Sequence, residues 1–389
     1  MRIRFWVAIV LIFWGNTVLC DDPVRIVPAD PMVSQGDLIY EYLSSYGIQN
    51  STLSPVGNVM AAHPALMGNL SSTGAGLAFQ YRSEGALSFD IKYKSQRQWL
   101  PQAASLIVPF GAWRLGAGFS RPFSRSLLLD PIELRTLEEP DGTGQFYLPV
   151  LETNVYSARV GIARNFGDRI GQEAKLSVGI QLNLNWFVKR EEIARVVAES
   201  EDFAPGWVIS AVANPLKFLK LALVYHREPT YSGTVAYKGV VLEDIVERDA
   251  VSQFQSVVVR FQEKQADQLR LGVLSRFSRR VWFSGNAALW YLEQWRTDLE
   301  KQFNLSGTVL MPLKPSLTLS AGVFKSDVGA ANGVGTAYDT TYLTGGVNWR
   351  IQDFLELDLA LADSRVFGDQ RREKWLVKLS LGMELNPSY

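Results

Sequence analysis

The residues that most often carry acid–base, nucleophilic or metal chemistry are scarce in this chain. Its 389 residues include two histidines, His63 and His226, and one cysteine, Cys20. A structural zinc site takes four Cys or His ligands, which this chain does not hold. We therefore expect no metal, no cofactor and no enzymatic activity.

Other groups that could do chemistry have simpler explanations. Carboxylates that fall on polar strand faces have lysines to pair with, which is a commoner role than an acid–base couple. The carboxylates are Asp90, Glu356 and Asp358, and the lysines are Lys92, Lys175 and Lys220. The glycines of Gly74–Gly76 and Gly333–Gly335 lack the strand-then-helix context of a phosphate-binding loop.

The elements that would position these residues are β-strands. Between Lys175 and Phe187, six apolar residues share one face and six other residues share the opposite face. The first set is Leu176, Val178, Ile180, Leu182, Leu184 and Trp186, and the second is Lys175, Ser177, Gly179, Gln181, Asn183 and Asn185. Ala86–Lys94 and Phe354–Leu361 repeat the alternation. Roughly eleven such residues cross a bilayer at a tilt, so the pattern predicts an all-β, transmembrane antiparallel β-barrel.

The same alternation places the second histidine and the tryptophans. It turns Tyr225 outward and His226 inward, so a lipid-facing Ser-His hydrolase site would lack its histidine. Six tryptophans lie on or near strand ends, where aromatic girdles are expected. They are Trp186, Trp282, Trp290, Trp295, Trp349 and Trp375.

Residues 1–20 have the form of a secretory signal peptide. Arg2 and Arg4 precede an apolar run from Phe5 to Trp14, and Val18-Leu19-Cys20 follows. This run is too short for a membrane-spanning helix, and no later stretch reaches the roughly 18–20 apolar residues that one needs, which excludes a helical membrane protein. Either cleavage follows Cys20 or Cys20 is lipidated.

The net charge of the chain limits the kinds of partner that it can bind. The chain has 39 basic and 39 acidic residues, and loss of Arg2 and Arg4 with the signal peptide leaves 37 basic residues. Such a chain offers no basic field to nucleic acid, which we exclude as a partner. We expect the bacterial outer membrane as the location, with lipid and lipopolysaccharide around the barrel and the barrel-assembly machinery as a partner during biogenesis.

Turn residues allow the strands to be counted, because bacterial barrels have short periplasmic turns and an even strand number. Short turns rich in Gly, Pro, Asn, Asp or Arg are predicted at 110–112, 167–172, 214–216, 277–280, 312–315 and 351–353. Six internal turns, with both chain ends periplasmic, imply about fourteen strands. Residues 72–95 and 253–277 are each long enough for two strands, which leaves sixteen or eighteen possible.

Longer connections are predicted on the opposite side. They are residues 124–151, 188–205, 228–252, 296–301, 327–339 and 364–373. Within 188–205, Ile193, Val196 and Val197 share a helical face, which predicts a short surface helix over 190–201 with an apolar patch. A solvated charged loop is the alternative.

The residues before the barrel do not alternate. Residues 36–47 carry apolar residues at helical spacing, namely Leu38, Ile39, Tyr42, Leu43 and Tyr46, and residues 57–70 carry Met60, Ala61, Leu66 and Met67. A fourteen-strand barrel has a lumen too wide for its own side chains to fill. We therefore expect residues 21–71 to form a helical or irregular plug inside a barrel of residues 72–389. A disordered periplasmic tail is the alternative.

Four phrases resemble the FadL/TodX-type outer-membrane transporters of long-chain fatty acids and hydrocarbons. They are LKLALVYHREP (Leu219–Pro229), the hairpin Gln268–Trp295, the hairpin Tyr342–Ala362 and GAGFSRPF (Gly116–Phe123). The N-terminal Asn-Pro-Ala signature of that family appears as His63-Pro64-Ala65, with a departure at His63.

The resemblance implies passive transport of hydrophobic small molecules. In such a protein an N-terminal hatch blocks the pore, a lipophile collects in an extracellular groove, and it passes an apolar pocket to leave through a gap in the wall. Each buried CH₂ would contribute about 0.8 kcal/mol to this transfer. A structural or secretion-associated barrel is the runner-up, and a general porin is the third reading.

Two groups of residues would bind the ligand on this reading. The tip of the hatch would contribute His63, Pro64, Ala65, Leu66 and Met67, and the extracellular way in, between residues 124–151 and 188–205, would contribute Ile193, Val196 and Val197. His63 could instead hydrogen-bond the plug to the wall, or do both.

Overall fold

The structure, a computed structural model, describes most of the chain from residue 41 onward. The described residues are 41–88, 91–95, 98–129, 132–133, 144, 146–147, 150–167, 174–193, 196–238, 257–264, 266–291, 299–330, 340–351, 354–367 and 372–385. The predicted signal peptide, residues 21–40 of the expected plug, Asp90 and Trp295 lie outside this range.

The described residues form a closed antiparallel barrel of fourteen strands, three of which are interrupted. The strands are β1 (Thr73–Ser88), β2 (Ile91–Ser95 and Gln98–Phe110), β3 (Trp113–Leu129), β4 (Val150–Phe166), β5 (Leu176–Ile193), β6 (Val196–Leu216), β7 (Leu219–Arg227 and Thr230–Lys238), β8 (Val257–Lys264 and Gln268–Arg276), β9 (Trp282–Trp290), β10 (Leu299–Lys314), β11 (Leu317–Ala330), β12 (Thr340–Ile351), β13 (Leu355–Asp363) and β14 (Arg372–Leu385). The expected fold class and the count of fourteen are confirmed.

The strand order explains why parity counting worked. Each of the six predicted short turns lies at the junction of two successive strands, although 214–216 and most of 312–315 are the last residues of β6 and β10 and the turns follow directly after them. Strand β1 pairs with β14 from Thr73↔Leu385 to Ala86↔Arg372. The barrel therefore begins and ends at the rim that carries the short turns. Residues 72–95 hold β1 and the first part of β2, and the described part of 253–277 is the interrupted strand β8, so neither region adds strands.

Side chains alternate across the wall as the sequence predicts. On β5, Ile180 and Trp186 are 50% and 46% exposed on the outside, while Gln181 and Asn183 are buried on the inside. His226 is buried inside the barrel, which confirms its predicted side. The prediction that Trp290 belongs to an outer aromatic girdle is wrong, because its side chain is fully buried. Its strand β9 buries the alternate residues Ser284, Asn286 and Ala288, and Trp290 continues that inner face.

The helix predicted over residues 190–201 is wrong. Strand β5 runs to Ile193, β6 begins at Val196, and the two pair directly, with Glu192 opposite Val197. Pairing of the two extended strands satisfies the backbone N–H and C=O groups that face each other between them, whereas a short helix with few apolar residues is marginal in water. The structure describes the backbone of Ile193, Val196 and Val197 but not the positions of their side chains.

Residues 41–72, here called the internal segment, precede β1. Leu43–Ser44 pairs with Gly47–Ile48 as a small hairpin, so in the described part the helical spacing read over 36–47 gives only 3-10 conformation at residues 41–42 and then the hairpin. Gly47 has a φ of +101°, a conformation open to glycine that turns the chain there. The second helical prediction holds in part, as two 3-10 turns, Val56–Asn58 and Pro64–Asn69, flank helix α1 (Val59–Ala62). No helix among the described residues is long and apolar enough to cross a membrane.

Glycines on the inner face of the wall let the internal segment approach closely. A Cβ added at Gly346 of β12 would lie 2.4 Å from Cα of Ser45, whereas one at Gly345 would meet only the Ser320 carbonyl at 3.8 Å. We expect Gly346→Leu to reduce the free energy of unfolding by about 1–3 kcal/mol through overpacking. Gly345→Leu, its matched control on the outer face, should leave it nearly unchanged. Urea unfolding in lipid vesicles measures both, and equal effects would contradict this account of the inner face.

Candidate functional site

The internal segment lies inside the barrel and is buried almost throughout. Leu43, Ala65 and Met67 are each 0% exposed. Its apolar side chains form one cluster with residues on the inner face of the wall: Val56, Val59, Met60, Ala62, Ala65, Leu66, Met67 and Leu70 pack with Ile107, Ala163, Val212 and Ala222. Packing of this kind fills the lumen at the level of the segment.

Polar wall side chains accept or supply the backbone hydrogen bonds that the short helices leave unmade. Ser210 Oγ of β6 accepts from Ala65 N–H at 2.9 Å, and Ser177 Oγ of β5 donates to the Ala65 carbonyl at 2.8 Å. Similar donors reach the carbonyls of other residues: Ser105 to Val56, Asn165 to Gly68, Arg114 to Leu70 and Arg270 to Ala62. The segment is thus tied to strands all around the barrel, because buried backbone groups need partners.

A buried group of charges holds the start of the segment. The guanidinium of Arg159 on β4 forms an ion pair with the Glu41 carboxylate and also donates to the carbonyls of Met60 (3.0 Å) and Ala61 (3.1 Å). Lys378 of β14 donates to the Glu41 carbonyl and to Asn58 Oδ1, both at 2.9 Å. Arg159 and Glu41 are 3% and 2% exposed, so each charge depends on the other.

Two inward carboxyl groups of β13 bind the same segment from the other side. Glu356 accepts from Val56 N–H at 2.7 Å, and Asp358 accepts from Ser45 N–H at 3.2 Å. Their inward direction is as predicted. Their described hydrogen bonds go to backbone N–H groups of the segment and to Asn348, and pairing with a lysine stays a prediction.

His63 joins two parts of the internal segment. Its Nε2 donates to the Ser51 carbonyl at 2.7 Å, so the ring stabilises the segment itself and not, as expected, a contact between plug and wall. The residue is 1% exposed. Burial, together with the nearby Arg270 charge, lowers the pKa of His63 to about 3.

This lowered pKa predicts acid sensitivity. The unfolded chain takes up a proton at His63 below pH 6.5 and the folded chain does not, so the stability is present above that pH and is lost as pH falls toward 3. Between pH 7 and pH 4 the loss should be about 3 kcal/mol. His63→Gln should remove that part of the pH dependence, as measured by urea unfolding across this range. An unchanged slope in the variant would contradict the buried neutral histidine.

The other residues predicted at the hatch tip are buried with His63. Pro64, Ala65, Leu66 and Met67 lie beneath the inner faces of β3 to β6, where Gly116 and Gly179 leave room for them. Their role in binding a ligand stays a prediction. The same holds for Ile193, Val196 and Val197.

The wall beside α1 is interrupted between β2 and β3. Ala103 pairs with Ser120 and Ser95 pairs with Leu127, but no ladder pair joins residues 98–102 to 121–126, all of which are described. Pro101 and Pro122 lie in the interval. Proline has no N–H to give to a ladder, which confines it to edges and bulges. The Gln102 side chain instead donates to the Arg121 carbonyl at 2.6 Å.

We call this interruption the β2–β3 seam. Small apolar residues lie at the end of the seam that is next to Ala103. Ala103 of β2 packs with Ala78 of β1 and Ala61 of the internal segment. A Cβ added at Gly118 would be 3.0 Å from Met60 Cβ. The seam therefore lies between the lipid-facing surface and an apolar part of the internal segment.

Sequence reasoning missed the charged residues that hold the internal segment in place. It also missed the residues on both sides of the β2–β3 seam. Glu41, Arg159 and Lys378 carry no local signature, since they meet only in the fold. The seam had a signal, because Arg121-Pro122 falls inside the GAGFSRPF strand phrase, where proline argues against continuous pairing. The described side chains include no group of three or more His, Cys, Asp or Glu residues that could hold a metal ion.

The barrel and its filled lumen can be compared with known proteins. No protein-family model matches the chain, and no curated protein matches it by sequence. Solved structures do match, at 12–13% identity. A Pseudomonas aeruginosa FadL homologue has a TM-score of 0.65 at 12% identity, covering 93% of this chain and 100% of that one.

Two toluene transporters have the same architecture. TbuX of Ralstonia pickettii has a TM-score of 0.62 at 12% identity and covers 86% of this chain and 99% of its own. TodX of Pseudomonas putida has a TM-score of 0.60 at 13% identity, with coverage of 93% and 98%. The chain has the fold of the FadL/TodX-type outer-membrane transporters.

Proposed function

We propose that this protein lets hydrophobic molecules cross the bacterial outer membrane passively. Long-chain fatty acids and hydrocarbons are the substrate class. The observation that carries the proposal is the β2–β3 seam, an interruption of the wall directly beside a lumen filled by the internal segment. A lipophile gains by moving between apolar surfaces without entering water.

Two further features support this function over its alternatives. The outer wall exposes large apolar residues such as Leu106, Leu115 and Val160, as a barrel in lipid requires. The internal segment fills the lumen, whereas a general porin needs an aqueous channel. A purely structural barrel has no need of a seam lined by alanine.

Binding of a fluorescent long-chain fatty acid to the detergent-purified protein tests the proposal. We expect saturable binding that unlabelled fatty acids and toluene compete away. Ala103→Trp fills the inner side of the seam and should weaken binding at least about tenfold, the equivalent of 1.4 kcal/mol. Ala104→Trp, one residue further on the outer face, is the matched control and should bind like the unchanged protein.

The outcomes separate the three readings. No binding by a folded protein would favour the structural or secretion-associated barrel. Large steady ionic conductance of the intact protein, with no lipophile binding, would favour the porin. Equal binding by the two tryptophan variants would show that the protein has a hydrophobic binding site, but that this site does not lie at the β2–β3 seam.

A further inference from the structure

The wall has a second interruption, between β6 and β7. The ladder is continuous from Ala213↔Leu221 to Trp207↔Arg227 and resumes at Glu199↔Ala236. Residues 200–206 and 228–235, all described, share no ladder pair, and β7 has one residue more than β6 across the interval. Seven strand residues correspond to about 20 Å of wall. We call this interval the β6–β7 seam.

Strand β7 bends into the lumen at this seam. Its inner residues are His226 and Glu228, but Pro229 is also buried, and from there the inner face moves to Tyr231. The ring of Tyr231 stacks on Phe187 of β5, two strands away, with 4.8 Å between centroids and 24° between planes. Tyr231 can reach Phe187 only by passing over the inner side of β6.

The backbone at the seam is adapted to the loss of its ladder. Pro205 of β6 and Pro229 of β7 have no N–H to satisfy. The Asp202 carboxylate of β6 accepts from Ser232 N–H at 2.5 Å, and Asp267 accepts from Glu228 N–H at 3.0 Å. Such substitutes for ladder hydrogen bonds help an interruption to persist in a membrane, where unpaired backbone groups are costly.

The surfaces of the seam are apolar outside and aromatic inside. Phe203 and Trp207 are 59% and 37% exposed on the outer face of β6, and the Phe187–Tyr231 pair closes the inner side. The Asp202 and Glu228 carboxyl groups flank the interval, and the Arg227 guanidinium is directed at Asp267, at 3.5 Å. At the β2–β3 seam the flanking charge is instead Arg121, whose guanidinium donates to Asn154 at 2.6 Å.

We propose that the β6–β7 seam is a second lateral opening, which passes neutral hydrophobic molecules between the lumen and the outer leaflet. The Asp202 carboxylate beside the interval disfavours a fatty-acid anion, whereas Phe203, Trp207 and the Phe187–Tyr231 pair suit a flat, uncharged hydrocarbon. Fatty acids use the β2–β3 seam. The substrate class rests on the proposed function; the opening itself rests on the strand pairing.

Cysteine labelling from the lipid phase tests the opening without requiring transport. Ala204→Cys and Val208→Cys both place a cysteine on the buried inner face of β6, the first at the seam and the second where the ladder to β7 is complete. Each is made with Cys20 replaced by serine and reconstituted in phospholipid vesicles. The probes are N-dodecylmaleimide, which partitions into the bilayer, and a charged, water-soluble maleimide.

We expect N-dodecylmaleimide to label Ala204→Cys at least about tenfold faster than Val208→Cys. The charged maleimide should show no such preference, because the route starts in lipid. Equal rates for the two cysteines with N-dodecylmaleimide would overturn the opening. A preference shown equally by the charged probe would also overturn it, since that route would run through water in the lumen.

Uptake measurements test the division between the two seams. Ala103→Trp should abolish uptake of oleate and leave most uptake of toluene, while Ala204→Trp should do the reverse. The double variant should take up neither. Loss of both substrates in Ala103→Trp alone would overturn the second path. Absence of uptake by the unchanged protein would refute the proposed function. The labelling experiment would still decide whether the β6–β7 seam opens, because it does not depend on transport.

Discussion

Removal of residues 21–71 is expected to convert a barrel without steady conductance into an open pore. The fourteen strands close on themselves through β1 and β14, so the wall does not need the internal segment to complete its hydrogen bonds. A barrel of this size has a lumen wider than its own side chains can fill. Conductance in planar bilayers should rise at least about tenfold over the intact protein.

The comparison requires that both proteins be folded barrels, which circular dichroism and heat-dependent gel mobility establish. A folded, shortened barrel that remains closed would show that the wall or its loops block the lumen, and the plug role of the segment would be wrong. Steady conductance by the intact protein would also contradict the claim that the internal segment closes the lumen.

Arg159→Met is expected to be the most damaging single substitution. It leaves the Glu41 carboxylate buried without its ion-pair partner and frees the carbonyls of Met60 and Ala61. Breaking a buried pair by removing one partner costs about 3–5 kcal/mol. The internal segment should loosen before the barrel unfolds, so proteolysis within residues 41–72 and bursts of conductance should both appear.

Two further variants make this prediction specific. Arg164→Met removes an arginine from the same strand, where its guanidinium lies over the Trp113 ring at 4.9 Å on the outer surface, and it should leave the segment intact. The double variant Glu41→Gln with Arg159→Met should recover part of the loss, because the Glu41 charge that Arg159→Met leaves unpaired is then removed. Equal effects of Arg159→Met and Arg164→Met would contradict the anchoring role of Arg159.

The strands were predictable from the sequence because their signal is local. Alternation on β5 fixed which side of Leu176–Trp186 faces lipid, and turn residues with strand parity gave the number fourteen. Trp290 shows the limit of this approach. Its position near the end of a strand fits an outer girdle, but the pairing register of β9 turns it into the lumen.

The candidate site was much less predictable, because it depends on contacts between distant residues. Glu41 and Arg159 are 118 positions apart, and nothing near either residue indicates the other. The internal segment also takes its shape from the wall, which explains why helical spacing at Tyr42, Leu43 and Tyr46 ended in a hairpin. The seams were partly visible, since Pro101, Pro122, Pro205 and Pro229 each interrupt a strand pattern.

Uptake of radiolabelled oleate and toluene tests the central claim most directly. The host is a bacterial strain that lacks hydrophobic channels of its own, and it expresses the unchanged protein, Ala103→Trp or Ala104→Trp at equal levels in the outer membrane. The account predicts uptake of both substrates above the strain without the protein, with oleate uptake lost in Ala103→Trp and kept in Ala104→Trp. Uptake no faster than in the strain without the protein, for both substrates and with the barrel folded, would contradict it.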